Sequence, residues 1–177
     1  MEKFKKVINQ YDIAVGEFVE TLSQFSQEQI NTVPFEGSWT AGQVAQHILK
    51  AIHGMPSLLT KGPTVKAERP FDEKTSEIDD KFLNFNIKMK SPDFIKPEEA
   101  TYDKNELIHS LNETRKGTIE AARDKDLSLL CLAFEMPVWG HLTLYELLAF
   151  AQVHTIRHNH QLKNIYQELS KKVVVNK

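Results

Sequence analysis

The sequence is poor in cysteine and has no long apolar run. A single cysteine, Cys131, among 177 residues excludes a disulfide within the chain and suits a reducing compartment. No stretch approaches the roughly 18 consecutive apolar residues that a membrane-spanning helix needs. The first residues are basic but lead into no apolar segment, so we expect no secretory signal peptide. These features predict a cytoplasmic protein without a membrane partner.

The sequence also lacks an excess of either charge. Its 22 basic and 24 acidic side chains give a formal net charge of −2, which provides no electrostatic reason to expect a nucleic-acid partner. The hydrophobic fraction of 41% and the charged fraction of 26% are ordinary for a globular protein. No internal repeat divides the chain. We therefore predict one domain over residues 1–177, long enough to bury roughly 70% of its unfolded surface.

Alternation of the kind that marks β-strands is rare, and apolar residues recur instead at intervals of three and four. This period is typical of amphipathic helices. It predicts four long helices, at about residues 3–25, 41–59, 104–123 and 143–169. Three of them begin with capping patterns, in which side chains satisfy the free donors of the first turn; these are Thr40-x-x-Gln43, Asp103-x-x-Glu106 and Thr143-x-x-Glu146. The fold class that follows is all-α, a four-helix bundle.

The connection between the second and third helices is unusually long. Residues 60–102 contain several prolines and only one short predicted helix, at 76–85. Such a length indicates a crossover that joins two parallel helices and could roof a pocket. Residues 127–134 are apolar and short, and are either a helical turn or a strand. Residues 173–175 are expected to be a frayed tail.

His154 and His158 occupy unusual positions in the last helix. Because they are four residues apart, both imidazoles lie on one helix face, one turn apart. The same face carries apolar residues on either side of the pair, namely Leu147, Ala151, Leu162 and Ile165. Polar groups placed on a core-facing stripe without partners cost a few kcal/mol each. A divalent metal is the simplest group that would satisfy both rings.

His47 has the same kind of position on the second helix, among the apolar residues Val44, Ile48 and Ala51. Two imidazoles from one helix and a third from a packed neighbour form a recognised divalent-metal set. Three protein ligands also leave coordination positions open, as in catalytic sites. The competing interpretation is that the three histidines are buried and bond backbone carbonyls or waters. The metal interpretation predicts Zn²⁺ or Ni²⁺ on these three residues.

Several neighbours have weaker claims to a role in such a site. Gln161 and Gln43 are spaced to support His158 and His47 respectively, but a solvated residue and a helix-cap partner are equally consistent. Arg157 lies one position off the stripe, where it could reach an anionic substrate or form a surface salt bridge. The remaining histidines are expected at the surface or in loops, with His141 the best reserve ligand; they are His53, His109, His141 and His160. Hydrophobic anchoring explains Trp39 and Trp139, and Cys131 is expected in the core.

Three groups of residues, spread over most of the chain, occur in a recognisable order. They are Ser38-Trp39-Thr40-Ala-Gly-Gln-Val-Ala-Gln-His47, then Lys90-Ser-Pro92 with Pro97, and Gly140-His-Leu-Thr143-Leu-Tyr-Glu146 followed by His154-x-x-Arg-His158-x-x-Gln161. Together they resemble the DinB superfamily of DinB/YfiT-like metalloenzymes. The resemblance implies a four-helix bundle with a long crossover between helices 2 and 3, usually a homodimer. It also implies a metal held by three histidines, which match His47, His154 and His158.

The resemblance leaves the chemistry open among several classes. Some relatives resemble thiol S-transferases that use a low-molecular-weight thiol such as bacillithiol, and others resemble metal-dependent hydrolases. We therefore expect a metal-dependent enzyme acting on a small molecule, with thiol transfer favoured over hydrolysis and no catalytic residue assigned. One alternative is a non-catalytic stress or interaction protein with a structural metal. Another is a helical bundle that binds a small ligand without metal.

Overall fold

The helices follow the apolar periodicity of the sequence. The computed structural model describes residues 1–175, with side chains through residue 171. In chain order the helices are α1 (Glu2–Ser23), α2 (Ala41–Ile52), α3 (Met55–Lys61), α4 (Thr75–Phe82), α5 (Lys104–Ala122) and α6 (Leu144–Val175). Single 3₁₀ turns lie at Gln29–Asn31 and Asp93–Ile95, and β1 (Thr64–Val65) pairs antiparallel with β2 (Leu130–Cys131). Because helix dominates these elements, the predicted all-α class is confirmed.

The long helices bury their apolar faces against one another. α1 packs against α5 and α6, and α2 packs against the same two helices, while α3 lies on α5 and α4 on α6. The faces meet in a core that is closed to solvent, and its largest fully buried side chains include Tyr11, Phe18, Phe25, Ile48 and Leu111. Burial of each such side chain contributes roughly 1.5–3 kcal/mol. In the described chain, no helix is both long enough and apolar enough to span a bilayer.

The predicted second helix, over residues 41–59, is in fact two helices, so its predicted extent was wrong. α2 ends at Ile52 and α3 begins at Met55, after Gly54. Pro56 explains the break, because it has no N–H to donate to the carbonyl of Ile52 and its ring would collide with that carbonyl in a continuous helix. In a new helix the same proline lies in the first turn, where no intrahelical donor is required.

The predicted caps of α2 and α5 are present. The backbone N–H of Gln43 donates to Oγ1 of Thr40 at 3.1 Å, and the backbone N–H of Thr40 donates to Oε1 of Gln43 at 2.9 Å. At α5, Oδ1 of Asp103 accepts from the backbone N–H of Glu106 at 2.9 Å. The α2 cap fixes the start of the helix that carries His47, so local sequence determines where in the helix this histidine lies.

Three other predictions about secondary structure can be compared with the fold. Residues 127–134, either a turn or a strand from sequence, contain β2, in which Cys131 pairs with Thr64. The last helix continues to Val175, so its predicted end near Leu169 was wrong; residues 173–175 belong to this helix, and their fraying stays a prediction. The short predicted helix at 76–85 is confirmed as α4, although α4 starts and ends slightly earlier.

A buried carboxylate fixes the crossover to the start of α6. Glu146 is fully buried, and its two carboxylate oxygens each accept a hydrogen bond of 2.7 Å from the guanidinium of Arg69. They also accept from the backbone N–H groups of Lys74, at 2.8 Å, and Thr143, at 3.0 Å. Lys74 directly precedes α4, so this network fixes where α4 begins relative to α6. The capping pattern at Thr143 therefore has a tertiary as well as a local role.

Candidate metal centre

Three imidazoles meet where α2 contacts α6. His47 comes from α2, and His154 and His158 come from successive turns of α6. Nε2 of His47 lies 3.0 Å from Nε2 of His154. The ring centre of His158 lies 4.5 Å from that of His47 and 4.8 Å from that of His154. One nitrogen of each ring falls within 4.8 Å of the others, so the structure brings together the three residues predicted as ligands.

Hydrogen bonds fix the tautomers of two of these rings. Nδ1 of His47 lies 2.9 Å from the carbonyl oxygen of Ile95. Nδ1 of His158 lies 2.8 Å from Oε1 of Gln161. Both oxygens can only accept, so each Nδ1 carries the proton and each Nε2 is left with a free lone pair. A metal-ligating histidine is normally oriented by such a bond on its other nitrogen.

All three rings are held in the neutral form. Burial lowers the pKa of His47, and it lowers the pKa of His158 from 6.5 to about 3, with the proximity of His47 adding to the effect. Burial also lowers the pKa of His154 well below its ordinary value, and the neighbouring His158 and His47 lower it further. A desolvated imidazolium is unfavourable, and three of them in one cluster would also repel. At neutral pH the lone pairs are therefore free to bind a cation.

His154 is buried beside two aromatic side chains. Its ring stacks on Phe150, with 5.3 Å between ring centres, and meets the edge of Phe82 at 5.6 Å. Its Nδ1 is buried and has no hydrogen-bond partner among the described side chains and backbone. Its Nε2 faces the lone pair of His47 at 3.0 Å, where two lone pairs would repel unless a proton or a cation lay between them.

This set of donors fits a divalent metal ion. Neutral imidazole nitrogens are ligands that Zn²⁺ and Ni²⁺ accept readily. Within the part of the chain that the structure describes, no aspartate, glutamate or cysteine joins the group. The two rings with accepted Nδ1–H bonds are pre-oriented, and Nε2 of the third lies 3.0 Å from Nε2 of His47, close enough for one ion to bind both nitrogens. The three histidines could therefore hold one metal ion with no neutralising charge from the protein.

Comparison with known families agrees with this geometry. A family model of the DinB superfamily matches residues 10–162, which is most of the chain. The chain belongs to the DinB superfamily. Searches of curated proteins and of solved structures returned no match. All three histidines of this DinB-superfamily protein lie inside the matched range, so the resemblance inferred from the motifs is confirmed.

The two glutamines proposed as supports have different positions in this DinB-superfamily protein. Gln161 contacts the site directly through its hydrogen bond to Nδ1 of His158. Gln43 instead uses its amide oxygen in the α2 cap, and its amide nitrogen lies 3.5 Å from the carbonyl oxygen of Glu98. Both ends of the Gln43 amide are thus engaged away from the histidines. Gln161 is in the position of a supporting residue, whereas Gln43 acts as a helix cap.

The other histidines lie outside the three-residue group. Nδ1 of His141, the reserve ligand, lies 3.2 Å from the carbonyl oxygen of Phe134. His53 and His109 are exposed, and exposed His160 stacks on a phenylalanine of the crossover. These positions agree with the surface and loop locations expected from sequence. Among the residues that the structure describes, they leave His47, His154 and His158 as the group that could bind a metal.

Sequence reasoning missed the aromatic and backbone groups that surround the histidines. Trp39 packs beside His47, with 5.2 Å between ring centres. Phe150 was recoverable, because it lies four residues before His154 on the same helix face. Phe82 and the carbonyl of Ile95 come from the crossover, where no periodicity predicts which residues approach a site. A backbone carbonyl in particular leaves no signal in the sequence.

Proposed function

We propose that this protein is a metal-dependent enzyme in which His47, His154 and His158 hold Zn²⁺ or Ni²⁺. The observation that carries the proposal is the convergence of three neutral imidazoles, two of them with Nδ1–H groups fixed by carbonyl or amide oxygens. Burying three polar rings where two helices pack together, without a ligand to bind them, would be destabilising. Membership of the DinB superfamily supports the same conclusion.

The residues around the site favour catalysis over a purely structural metal. A cation bound by three neutral ligands acts as a Lewis acid with open positions, and lowers the pKa of a thiol or water that enters them. Phe82 and Phe150 keep water from the His154 side. His158 is only partly buried, whereas His47 and His154 are 2% and 4% exposed, so the His158 side is where a small molecule would enter.

Among possible reactions we favour transfer of a low-molecular-weight thiol, such as bacillithiol, to an electrophile. In this reaction the thiol sulfur bonds to an electrophilic carbon, the leaving group departs with its electron pair, and the thiol proton passes to solvent. The thiol must come from a cosubstrate, because Cys131 is fully buried and does not belong to the histidine group. Hydrolysis, with water in place of the thiol, is the alternative that the assay below distinguishes.

The metal is tested by elemental analysis of protein purified without an affinity tag or chelator. We expect close to one Zn²⁺ or Ni²⁺ per chain in the wild type and in His109→Ala, whose exposed histidine lies outside the group. His154→Ala should lose the metal while keeping its helical circular-dichroism spectrum. A wild-type stoichiometry near zero would overturn the metalloenzyme proposal and favour a bundle that binds a small ligand without metal.

The reaction is tested by incubating the metal-loaded protein with bacillithiol and monochlorobimane. Metal-dependent formation of the fluorescent thioether supports transfer, and removal of the metal should abolish it. Absence of metal-dependent turnover with any thiol would exclude the transferase, leaving the hydrolase to be tested with ester and amide substrates. For a structural metal, His158→Ala would mainly lower the melting temperature, whereas an enzyme should lose activity with its fold retained.

The arrangement of the whole chain is part of this proposal. We infer that α1, α2, α5 and α6 form a four-helix bundle in one domain, with residues 60–102 as the crossover between the second and third long helices. The packing of α1 and α2 each against both α5 and α6 supports this ring of four. By family resemblance we further propose a homodimer with a small-molecule substrate. From composition and charge we propose a cytoplasmic protein with neither nucleic acid nor membrane as partner. Size-exclusion chromatography with light scattering tests the dimer.

A further inference from the structure

Arg157 contacts backbone carbonyls rather than the anionic groups that the sequence suggested. Its Nη1 donates to the carbonyl oxygens of Phe82, at 3.1 Å, and Asn84, at 2.9 Å, and its Nη2 donates to that of Ile87. Phe82 ends α4, where a helix leaves acceptors unsatisfied and carries partial negative charge, and Asn84 and Ile87 follow it in the crossover. A single side chain of α6 thus fixes the path of the crossover as it leaves α4.

The part of the crossover that Arg157 fixes continues directly over the histidine site. We call residues 82–95 the covering segment. At its start, Phe82 packs against His154 with 5.6 Å between ring centres. Towards its end, Oγ of Ser91 and the carbonyl oxygen of Ile95 lie 3.5 Å and 2.9 Å from Nδ1 of His47. The covering segment therefore runs from α6 to α2 and contacts two of the three histidines on the way.

Few other contacts fix the position of the covering segment. Between Phe82 and Ser91 most of its residues are exposed, including Leu83, Phe85 and Ile87 at 40–44%. It contains no α-helix between the end of α4 and the 3₁₀ turn that begins at Asp93. Apart from the stacking of Phe85 on His160, contacts at the two ends fix its position, and Arg157 supplies three hydrogen bonds at the first of them. A planar guanidinium suits three diverging carbonyls because it presents several donors in a fixed geometry.

We propose that Arg157 is a positioning residue, which holds the covering segment as a fixed wall over His47 and His154. It acts through the backbone of residues 82–87 and keeps Phe82 on His154 and the carbonyl of Ile95 on His47. The proposal deepens the proposed function, because it gives a role in the three-histidine site to a residue that does not touch the rings' free nitrogens. The wall consists of this chain's own residues, so its contacts can be tested in metal-free protein, independently of metal binding and turnover.

The test measures how fast diethyl pyrocarbonate modifies each histidine of the metal-free protein, with the sites resolved by peptide mass spectrometry. His53 and His109 are exposed and serve as references within the same chain. In the wild type, His47 and His154 should react far more slowly than these references. In Arg157→Ala both should react roughly tenfold faster or more relative to the references, because losing even one charge-assisted hydrogen bond shifts a local opening equilibrium by about that factor.

Three controls separate local opening from general loss of structure. Arg157→Lys keeps the charge but not the planar guanidinium with its several donors, and should restore part of the protection of His47 and His154. Lys163→Ala removes an exposed cation from the same helix and should behave as the wild type. Labelling of fully buried Cys131 by a thiol reagent reports global unfolding, and should not accelerate in Arg157→Ala.

Two results would overturn the proposal. The first is unchanged protection of His47 and His154 in Arg157→Ala, because the covering segment would then not depend on the guanidinium. The second is an equal acceleration at Cys131, because Arg157 would then support the whole fold and not the wall. The labelling experiment uses neither metal nor substrate. Failure of the metalloenzyme proposal would therefore appear only in the elemental analysis and would not change how the labelling rates are interpreted.

Discussion

The buried ion pair between Arg69 and Glu146 should be the most sensitive single point in the attachment of the crossover to α6. The informative change is Glu146→Gln, which keeps the shape of the side chain but removes its charge. One of the two carboxylate oxygens becomes an NH₂ group, and this donor faces other donors among the guanidinium of Arg69 and the N–H groups of Lys74 and Thr143. At least one buried donor is left without an acceptor.

The magnitude follows from how deeply each partner is buried. The Glu146 side chain has no exposed surface, and the Arg69 side chain is 20% exposed. Removing one partner of a buried pair costs about 3–5 kcal/mol. Because Arg69 can partly rehydrate, we expect Glu146→Gln to lower the free energy of unfolding by about 3 kcal/mol. Arg69→Met leaves a fully buried carboxylate without its cation and should cost at least as much.

Urea denaturation at neutral pH, followed by circular dichroism, measures both variants and the double variant. We expect the double variant to be clearly more stable than the sum of the two losses predicts, because the groups interact directly. Asp12→Asn is the matched control, since the Asp12–Arg115 pair is about one-third exposed and should contribute about 1 kcal/mol or less. Strictly additive losses, or an effect of Glu146→Gln no larger than that of Asp12→Asn, would refute the reasoning.

Three other measurements test the site and its supports. Burial lowers the pKa of His158 in the folded protein from 6.5 to about 3, so as pH falls the unfolded chain binds a proton at His158 before the folded chain does. Through this group the metal-free protein should lose about 2 kcal/mol of stability between pH 7.5 and 5. Denaturation of His158→Asn should lack that loss, and an identical pH dependence would contradict it. Thr40→Ala removes the α2 cap and should cost about 1 kcal/mol, whereas Thr40→Ser should cost little; equal melting temperatures for both would contradict the cap. Ni²⁺ binding should quench the fluorescence of Trp39, which lies 5.2 Å from His47, and an undiminished quench in Trp39→Phe would place the ion elsewhere.

The helices and their starts were predictable because their causes are local. Apolar period and capping depend on residues within one or two turns, so α1, α2, α5 and the start of α6 follow from neighbouring side chains. The break at Pro56 was equally local and could have been predicted from its missing N–H. The strand character of residues 130–131 was not predictable in this way, because it depends on pairing with Thr64–Val65 far earlier in the chain.

The sequence by itself determined which side chains could bind a metal: three histidines on core-facing stripes of two helices, inside a chain whose motifs indicate the DinB superfamily. Only the tertiary structure decided that His47 and His154, 107 residues apart, bring their nitrogens to 3.0 Å. It also decided that the carbonyl of Ile95 orients His47 and that Arg157 fixes the covering segment. The physical reason is that every residue carries the same backbone carbonyl, so only the folded path of the chain selects which carbonyl meets which side chain.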